Sequence, residues 1–451
     1  MWLGIGAICL LLLLQSNVEA RKAKKKVSEK CKDAPDKSRQ AICERMQAWT
    51  RQAKKTEHIR PKAKNVPAKR LLDGTVATEK DLGDCLSMRC VCEALTGISS
   101  SNCTYRSYQL QKSVRKEYRM MTDLDRARYH QALRKLKDNG MYDNYIMYHL
   151  VANDDGIGGA HNGPAFLPWH RETLKRLELS LRKIDPQVSL PYWDSTLDAP
   201  LPDLTSSVMF LDELAGPAQG LVNSGPFKGY ADEPNATDGA TRAHILRNTA
   251  GEFRAVYRED RVQLILSFPN VSQMLARSNS VGPNCPPNQY NCLEYEHGIV
   301  HNTVDEDMYD TNTSPRDPLF YMHHAFTDLI WEMWRQKWQT RDERATQWPP
   351  RPECSTTQHQ LNWPMAPYSN LLNIDGISND YMDYMITYAP RPTCNATTAC
   401  GSRFLFCDLT KPAAPRCVSK IKLGGQCDTF TASDVCYGGV CVAGKCATGA
   451  A

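Results

Sequence analysis

Residues 297–338 read HGIVHNTVDEDMYDTNTSPRDPLFYMHHAFTDLIWEMWRQKW, and this stretch decides the fold. His297 and His301 stand at i and i+4, on one face of a helix, and the pair His323–His324 follows on a second helix. Three imidazoles can meet where the two helices pack. A second trio lies upstream. MYDNYIMYHLVAN puts Tyr142, Tyr145, Ile146 and His149 on one face by three- and four-residue spacing, which turns His149 inward. NDDGIGGAHNGPAFLPW carries His161 in a loop, because its glycines and prolines forbid a continued helix. HRETLKRLELSLRKI then opens an amphipathic helix with His170 in its first turn and Leu174, Leu177, Leu181 and Ile184 on one stripe. One inward histidine is usually a hydrogen-bonded core residue; two separate trios are harder to absorb into a core.

Working outward, MTDLDRARYHQALRKLKDNG begins with Thr122 and Asp125 in capping-box spacing and stops at Asn139-Gly140, which predicts one more helix. Residues 186–290, rich in Pro and Gly and containing LPYWD at 190–194 and a helical piece near 241–257, read as long loops over the helical core. The expected fold class is mainly α, an antiparallel four-helix bundle core with long loops and a small disulfide-rich C-terminal module. At 451 residues the chain has room for a core of roughly 250–300 residues with attachments at each end.

MWLGIGAICLLLLLQSNVEA has the apolar run of a signal peptide, with cleavage expected after Ala20, and no later segment is apolar enough to span a bilayer. Eighteen cysteines, 17 after cleavage, and five sequons at Asn102, Asn235, Asn270, Asn312 and Asn395 agree with secretion. An odd mature number leaves one thiol free or one bridge between chains. Cys285 and Cys292, seven apart, are expected to staple a loop ahead of His297, and the CxC at 90–92 to belong to two bridges. No cysteine lies between 103 and 285, so that region must hold together by its core. Residues 21–70 carry 18 Lys and Arg against 5 Asp and Glu. Such an arm is expected to be solvated and poorly ordered, and it attracts acidic matrix polymers; nucleic acid is no partner for a secreted chain. Lys69-Arg70 is a dibasic pair of the processing type. The expected divisions are 1–20 signal peptide, 21–84 basic arm, 85–119 cysteine-rich lead-in, 120–390 histidine-bearing domain and 391–451 cysteine-rich module.

Neutral imidazole suits copper, zinc and iron, and copper(II) binds most tightly at a nitrogen-only site. No carboxylate interrupts either trio as a two-His-one-carboxylate iron site requires, and HExxH is absent. Two all-histidine sites therefore favour a pair of copper ions, able to pass two electrons to dioxygen.

HNGPAFLPWHRETLKRLE, LPYWD, EHGIVHN and DPLFYMHHAFTDLIWEMW together resemble the tyrosinase and molluscan-type haemocyanin group of type 3 copper proteins, over about residues 120–340. The resemblance implies His149, His161 and His170 as ligands of one copper and His297, His301 and His324 as ligands of the other. His323 is then a neighbour near the substrate mouth. Asp328, one turn after His324, has two readings: a hydrogen bond to the environment of His324, or a pairing elsewhere. Phe320, Phe326, Trp331 and Trp334 are expected to pack the bundle, and Arg171 and Asp194 to make structural hydrogen bonds. His58, His130, His244 and His359 match no ligand motif.

Relatives often carry Asn after the first histidine of the second site, where this chain has Gly298, and Glu294 is the nearest match to their acidic water-holding residue. NTVDEDM after His301 also departs from the pattern, which predicts an altered entrance. The resemblance therefore implies a secreted copper oxidoreductase that uses dioxygen to take o-diphenols to o-quinones, with monophenols less favoured. Quinones attack amines, so pigment formation or crosslinking in an extracellular matrix is the expected setting. An oxygen-binding protein and a non-catalytic matrix protein are the alternatives. The cysteine-rich tail has two expected roles, covering the mouth of the copper site or binding a matrix partner.

Overall fold

Thr122 caps the helix Asp123–Asp138 by accepting the Asp125 N–H at 3.1 Å, and Gly140, left-handed at φ 76°, turns the chain straight into the helix Met141–Ala152. Both boundaries are those expected from the sequence. The structure is a computed structural model that describes residues 31–44, 81–153, 157–231, 243–253, 255–277, 285, 290–411, 413–430 and 434–449. The signal-peptide reading, Lys69-Arg70, His58 and Asn235 lie outside the described residues.

The protein is mainly α. Its core is formed by the helices Asp123–Asp138, Met141–Ala152, Phe166–Ile184, Leu293–Val304 and Leu319–Trp338, and the last four bear the histidines together with the 161 loop. The Phe166–Ile184 helix runs through the middle, and both of its faces are covered. Leu174, Leu177 and Leu181 are buried as the stripe predicts, but so are Arg171, Glu172, Lys175, Arg176 and Glu178 on the face that reads as solvated. Those charges stay buried because each is paired. Arg171 meets Asp328 and Glu332, Glu178 meets Arg115, and Glu172 takes Lys175, Arg176 and the Tyr381 hydroxyl. The Leu319–Trp338 helix starts at Asp317, whose carboxylate accepts the Leu319 N–H at 3.0 Å and a bidentate pair from the buried Arg247.

All six sheets among the described residues are two-stranded, and one corrects the helical piece expected near 241–257, because Leu246–Asn248 is drawn out into a strand by pairing with Gln219–Leu221. From Cys394 to Cys446 four disulfides (394–407, 400–417, 427–441 and 436–446) hold two hairpins. This module sits on the 201–213 loop: Val208 N–H donates to the Lys420 carbonyl at 3.0 Å, and Ser207 and Ser419 share a 2.9 Å hydroxyl bond. None of its described residues lines the histidine cavity described below.

Two other expectations are corrected. Residues 31–44, assigned to a poorly ordered arm, are folded: Cys31–Cys43 closes the segment, residues 37–44 are helical, and Ile42 is buried. Local charge said nothing of the apolar contact that orders them. Cys285 pairs with Cys354 rather than Cys292, which stays a buried thiol at the N-cap of Leu293–Val304, packed with Tyr290 and Tyr295. The lead-in bridges are 85–90 and 92–103, as the two-bridge reading has it.

Candidate metal centre

Five of the six histidines of the two trios stand on helices and His161 on a loop, and backbone carbonyls fix three of the rings. His170 donates Nδ1–H to the Phe166 carbonyl at 2.9 Å, one turn back, and His297 donates to the Glu294 carbonyl at 2.9 Å. His301 donates to the Met308 carbonyl at 2.9 Å, with Ser314 Oγ at 3.0 Å. A carbonyl only accepts, so Nδ1 carries the hydrogen in each ring and Nε2 keeps its lone pair for a metal. His301 finds its carbonyl because the chain reverses sharply: Asp305 and Glu306 are both left-handed, at φ 63° and 47°.

In the first trio ring centroids lie 4.9 Å (His149–His161), 5.3 Å (His161–His170) and 5.8 Å (His149–His170) apart. In the second, His297 is 4.5 Å from His301 and 4.7 Å from His324. His301 Nε2 and His324 Nε2 are 3.3 Å apart. Two nitrogens about 2.0–2.1 Å from one shared ion in a near-tetrahedral set are separated by about that much. All six imidazoles are buried. Burial, and after it the neighbouring imidazoles, holds His161, His170 and His324 well below the usual histidine range. Burial lowers His149 to about 3, with the Thr311 backbone acting on it from outside full hydrogen-bond geometry. Neutral rings are the metal-binding form, so the donor set fits two nitrogen-ligated ions.

By distance alone, His297, His301 and His323 also lie within 4.8 Å of one another through one ring nitrogen each. His323 differs from His324 in its bonding: its Nε2 donates to the His297 carbonyl at 3.1 Å and its ring stacks on His297, while Nδ1 is buried with no hydrogen-bond partner. His323 is fully buried against Tyr257, at the back of the site rather than near its mouth. Asp328 takes the second of its two readings. It accepts from Arg171 at 2.7 Å and the Tyr388 hydroxyl at 2.6 Å, and supports the Phe166–Ile184 helix rather than a ligand ring. Glu294 joins the two halves, its carbonyl holding His297 while its carboxylate accepts the Asn162 N–H beside His161.

Between the trios is a cavity of about 30 Å3, walled by His149, His161, His297, His301, Phe320 and, across Gly298, Ile42. Residues 302–307, expected at the entrance, anchor elsewhere. Thr303 exchanges bonds with Ala255, Asp305 accepts from Asn248 and Asp307 from the Leu246 N–H. Met308, Tyr309, Thr311 and Ser314 just beyond them line the cavity.

Sequence reasoning missed Phe166 and His359, and named Phe320 only as a packing residue of the bundle, which its burial in the core bears out. Phe166 and Phe320, each four residues before a trio's last histidine, press on the imidazoles: Phe166 lies 4.7 Å from both His170 and His297, and Phe320 lies 4.2 Å from His324. The repeated Phe-x3-His spacing was a signal for both. His359 had none. It is buried behind the 161 loop, accepts the Ala165 N–H at 3.3 Å, and lies so close to Gly163 that a Cβ there would come within 2.8 Å of its ring. His130 and His244 are structural, bonded to the Tyr118 hydroxyl and the Gly229 N–H.

A sequence model of the common central domain of tyrosinase matches residues 126–337. The tyrosinase-like protein tyr-3 of Caenorhabditis elegans is 40% identical over 425 residues, 93% of this chain and 60% of that protein. Tyrosinase-like protein 1 of Margaritifera margaritifera is 33% identical, over 68% of this chain and 61% of its own length. The chain thus spans about three-fifths of these two relatives. A tyrosinase of Streptomyces antibioticus is 31% identical over 237 residues, half of this chain and 84% of that one. Among solved structures, a polyphenol oxidase variant from Thermothelomyces thermophila aligns at 18% identity and a TM-score of 0.48, over 63% of this chain and 89% of its own. With the family's central domain matched across all six histidines and most of a bacterial tyrosinase covered, the chain belongs to the tyrosinase-like family of type 3 copper proteins.

Proposed function

We propose that this chain is an extracellular dicopper phenol oxidase that takes o-diphenols to o-quinones with dioxygen. The observation that carries the reading is the convergence of six buried imidazoles as two trios in contact, with Nε2 of His170, His297 and His301 left for metal by backbone acceptors on Nδ1. His149, His161 and His170 would hold one copper and His297, His301 and His324 the other. Bound copper supplies two-electron redox and Lewis-acid chemistry.

The chain's own residues do the rest. Carbonyls of Phe166, Glu294 and Met308 fix three rings before any metal arrives, so little reorganisation remains. Phe166 and Phe320 keep water from the imidazole faces. Gly298 offers no side chain beside His297 to orient a water, which supports catechols over monophenols as substrates, while the Glu294 carboxylate accepts the Asn162 N–H beside His161. A Lys-rich N-terminal sequence supplies amines that o-quinones attack, which supports crosslinking in an extracellular matrix as the setting.

Copper analysis followed by oxygen uptake with catechol and then tyrosine, on one sample, tests this. Two coppers per chain and uptake with catechol are expected; a copper-loaded chain with its cavity open that consumes no oxygen with any catechol overturns it. The small volume of the cavity favours one second reading, reversible oxygen binding, which would show as binding without turnover.

A further inference from the structure

Among the described residues that line the cavity between the trios, one comes from outside the helical core and its connecting turns. Ile42 belongs to the segment 31–44, and its side chain shares the cavity wall with His149, His161, His297 and His301. It rests on Gly298, where a Cβ would lie only 3.2 Å from Ile42 Cδ1. The missing side chain at Gly298 is what lets Ile42 come this close to the ring of His297. The polar contacts of the segment hold it in that place. Arg39 pairs with Glu296 and donates Nε–H to the Tyr290 carbonyl at 2.9 Å, and the Tyr290 hydroxyl donates to Asp33 at 2.8 Å. Glu296 is in turn held by Arg261 at 2.7 Å. Ile42 packs with Tyr290, Tyr295 and Ile299, the outer face of the helix that bears His297 and His301.

We propose that residues 31–44 are a built-in plug of the histidine site, with Ile42 standing where a substrate ring would enter, and that the site admits a phenolic ring only when this segment leaves. The inference rests on the phenol-oxidase reading above for the identity of the ring. Three observations carry it. The remaining cavity, about 30 Å3, holds a molecule the size of dioxygen or water and no aromatic ring. Ile42 has no donor or acceptor, so it fills the space without competing for metal. The segment's one disulfide, Cys31–Cys43, lies within it, so its only covalent link to the body is the backbone that continues past residue 44. While that link is intact the plug faces the site at an effective concentration on the order of millimolar. After a single cut between residues 44 and 81 the plug is held by non-covalent contacts alone and is lost on dilution.

The test uses the copper-loaded full chain with a recognition sequence for a specific protease inserted between residues 61 and 62. The probe is 4-nitrocatechol, titrated optically before the cut, and after the cut and gel filtration. If the plug is out about one-tenth of the time or less, its removal tightens the apparent Kd about tenfold or more. The uncut Ile42→Ala chain is expected to show part of the same gain, and synthetic oxidised peptide 31–44 added to the cut chain to reverse it. A fall in Kd in either the cut chain or the uncut Ile42→Ala chain supports the plug. An unchanged Kd in both overturns it. Ring binding that appears after the cut without oxygen uptake leaves the plug standing and refutes the phenol-oxidase reading instead.

Discussion

The imidazole of His170 lies flat against that of His324, with ring centroids 4.1 Å apart and planes 4° apart, so the last histidine of each trio touches the other trio. Each sits one turn after a phenylalanine, Phe166 or Phe320, on one of two long packed helices. Each phenylalanine also reaches across, Phe166 to His297 at 4.7 Å and Phe320 to His149 at 5.1 Å. The spacing of the two trios is thus set by side-chain packing of the Phe166–Ile184 and Leu319–Trp338 helices.

This arrangement assigns different jobs to two adjacent histidines. His324→Ala removes the nitrogen 3.3 Å from His301 Nε2 and is expected to lower copper from two per chain toward one after reconstitution and dialysis. His323→Gln is expected to keep both, because a side-chain amide can still donate to the His297 carbonyl. Metal analysis of the two variants decides it, and loss of a copper in His323→Gln would reverse the assignment.

The ligand-bearing helices were legible because helical periodicity and metal-ligand spacing coincide: His297 and His301 at i, i+4, and His149 on the inward face defined by Tyr142, Tyr145 and Ile146. Caps at Thr122 and Gly140 were legible because they are local. What sequence could not give was long-range. The burial of Arg171 and Glu172 depends on Asp328, Glu332 and Tyr381, far along the chain. Likewise His359 reaches the 161 loop, and Ile42 reaches Gly298, across hundreds of residues with no periodic pattern to mark the contact.

Arg171 holds two carboxylates beneath the site, Asp328 at 2.7 Å and Glu332 at 3.0 Å, and lies over the Trp331 ring at 4.0 Å. Replacing it with Leu leaves Asp328 with Arg115 at 3.7 Å and the Tyr388 hydroxyl, and Glu332 with Arg335 at 2.8 Å, so each buried acid loses one of two cationic partners and metal-free protein is expected to lose on the order of 3 kcal/mol in urea unfolding. Arg171→Leu combined with Asp328→Asn should recover part of that, because one buried acid short of a partner is gone. Arg171→Lys is not expected to rescue, since an ammonium lacks the planar fork that meets two carboxylates while stacking on an indole.

Cys292 is the one free thiol among the described residues, and burial, with Glu294 close by, pushes it up to about 12. A neutral buried thiol is a poor nucleophile. A chain that starts at residue 21 is therefore expected to release no chromophore from a thiol-specific aromatic disulfide reagent while folded, and one equivalent in denaturant. Rapid reaction of the folded chain would contradict the position of this thiol in the core.

His359 links stability to pH through a group that is no metal ligand in this arrangement. It accepts the Ala165 N–H through Nδ1, and burial lowers it from an ordinary value of 6.5 to about 4. Between those values the unfolded chain takes up a proton that the folded chain refuses, so the contribution is complete above pH 6.5 and is lost as pH falls toward 4. The slope for one such group is about 1.4 kcal/mol per pH unit. His359→Gln cannot take the proton in either state. The unfolding free energy of its metal-free form should therefore fall less steeply from pH 6 to pH 4 than that of the parent, by about that amount per unit. His130, lowered to about 3 by burial, remains in both proteins and leaves a common slope. Urea midpoints at three pH values within the window measure the difference, and parallel curves would show that His359 is protonated in the folded protein and does not prop the loop that carries His161.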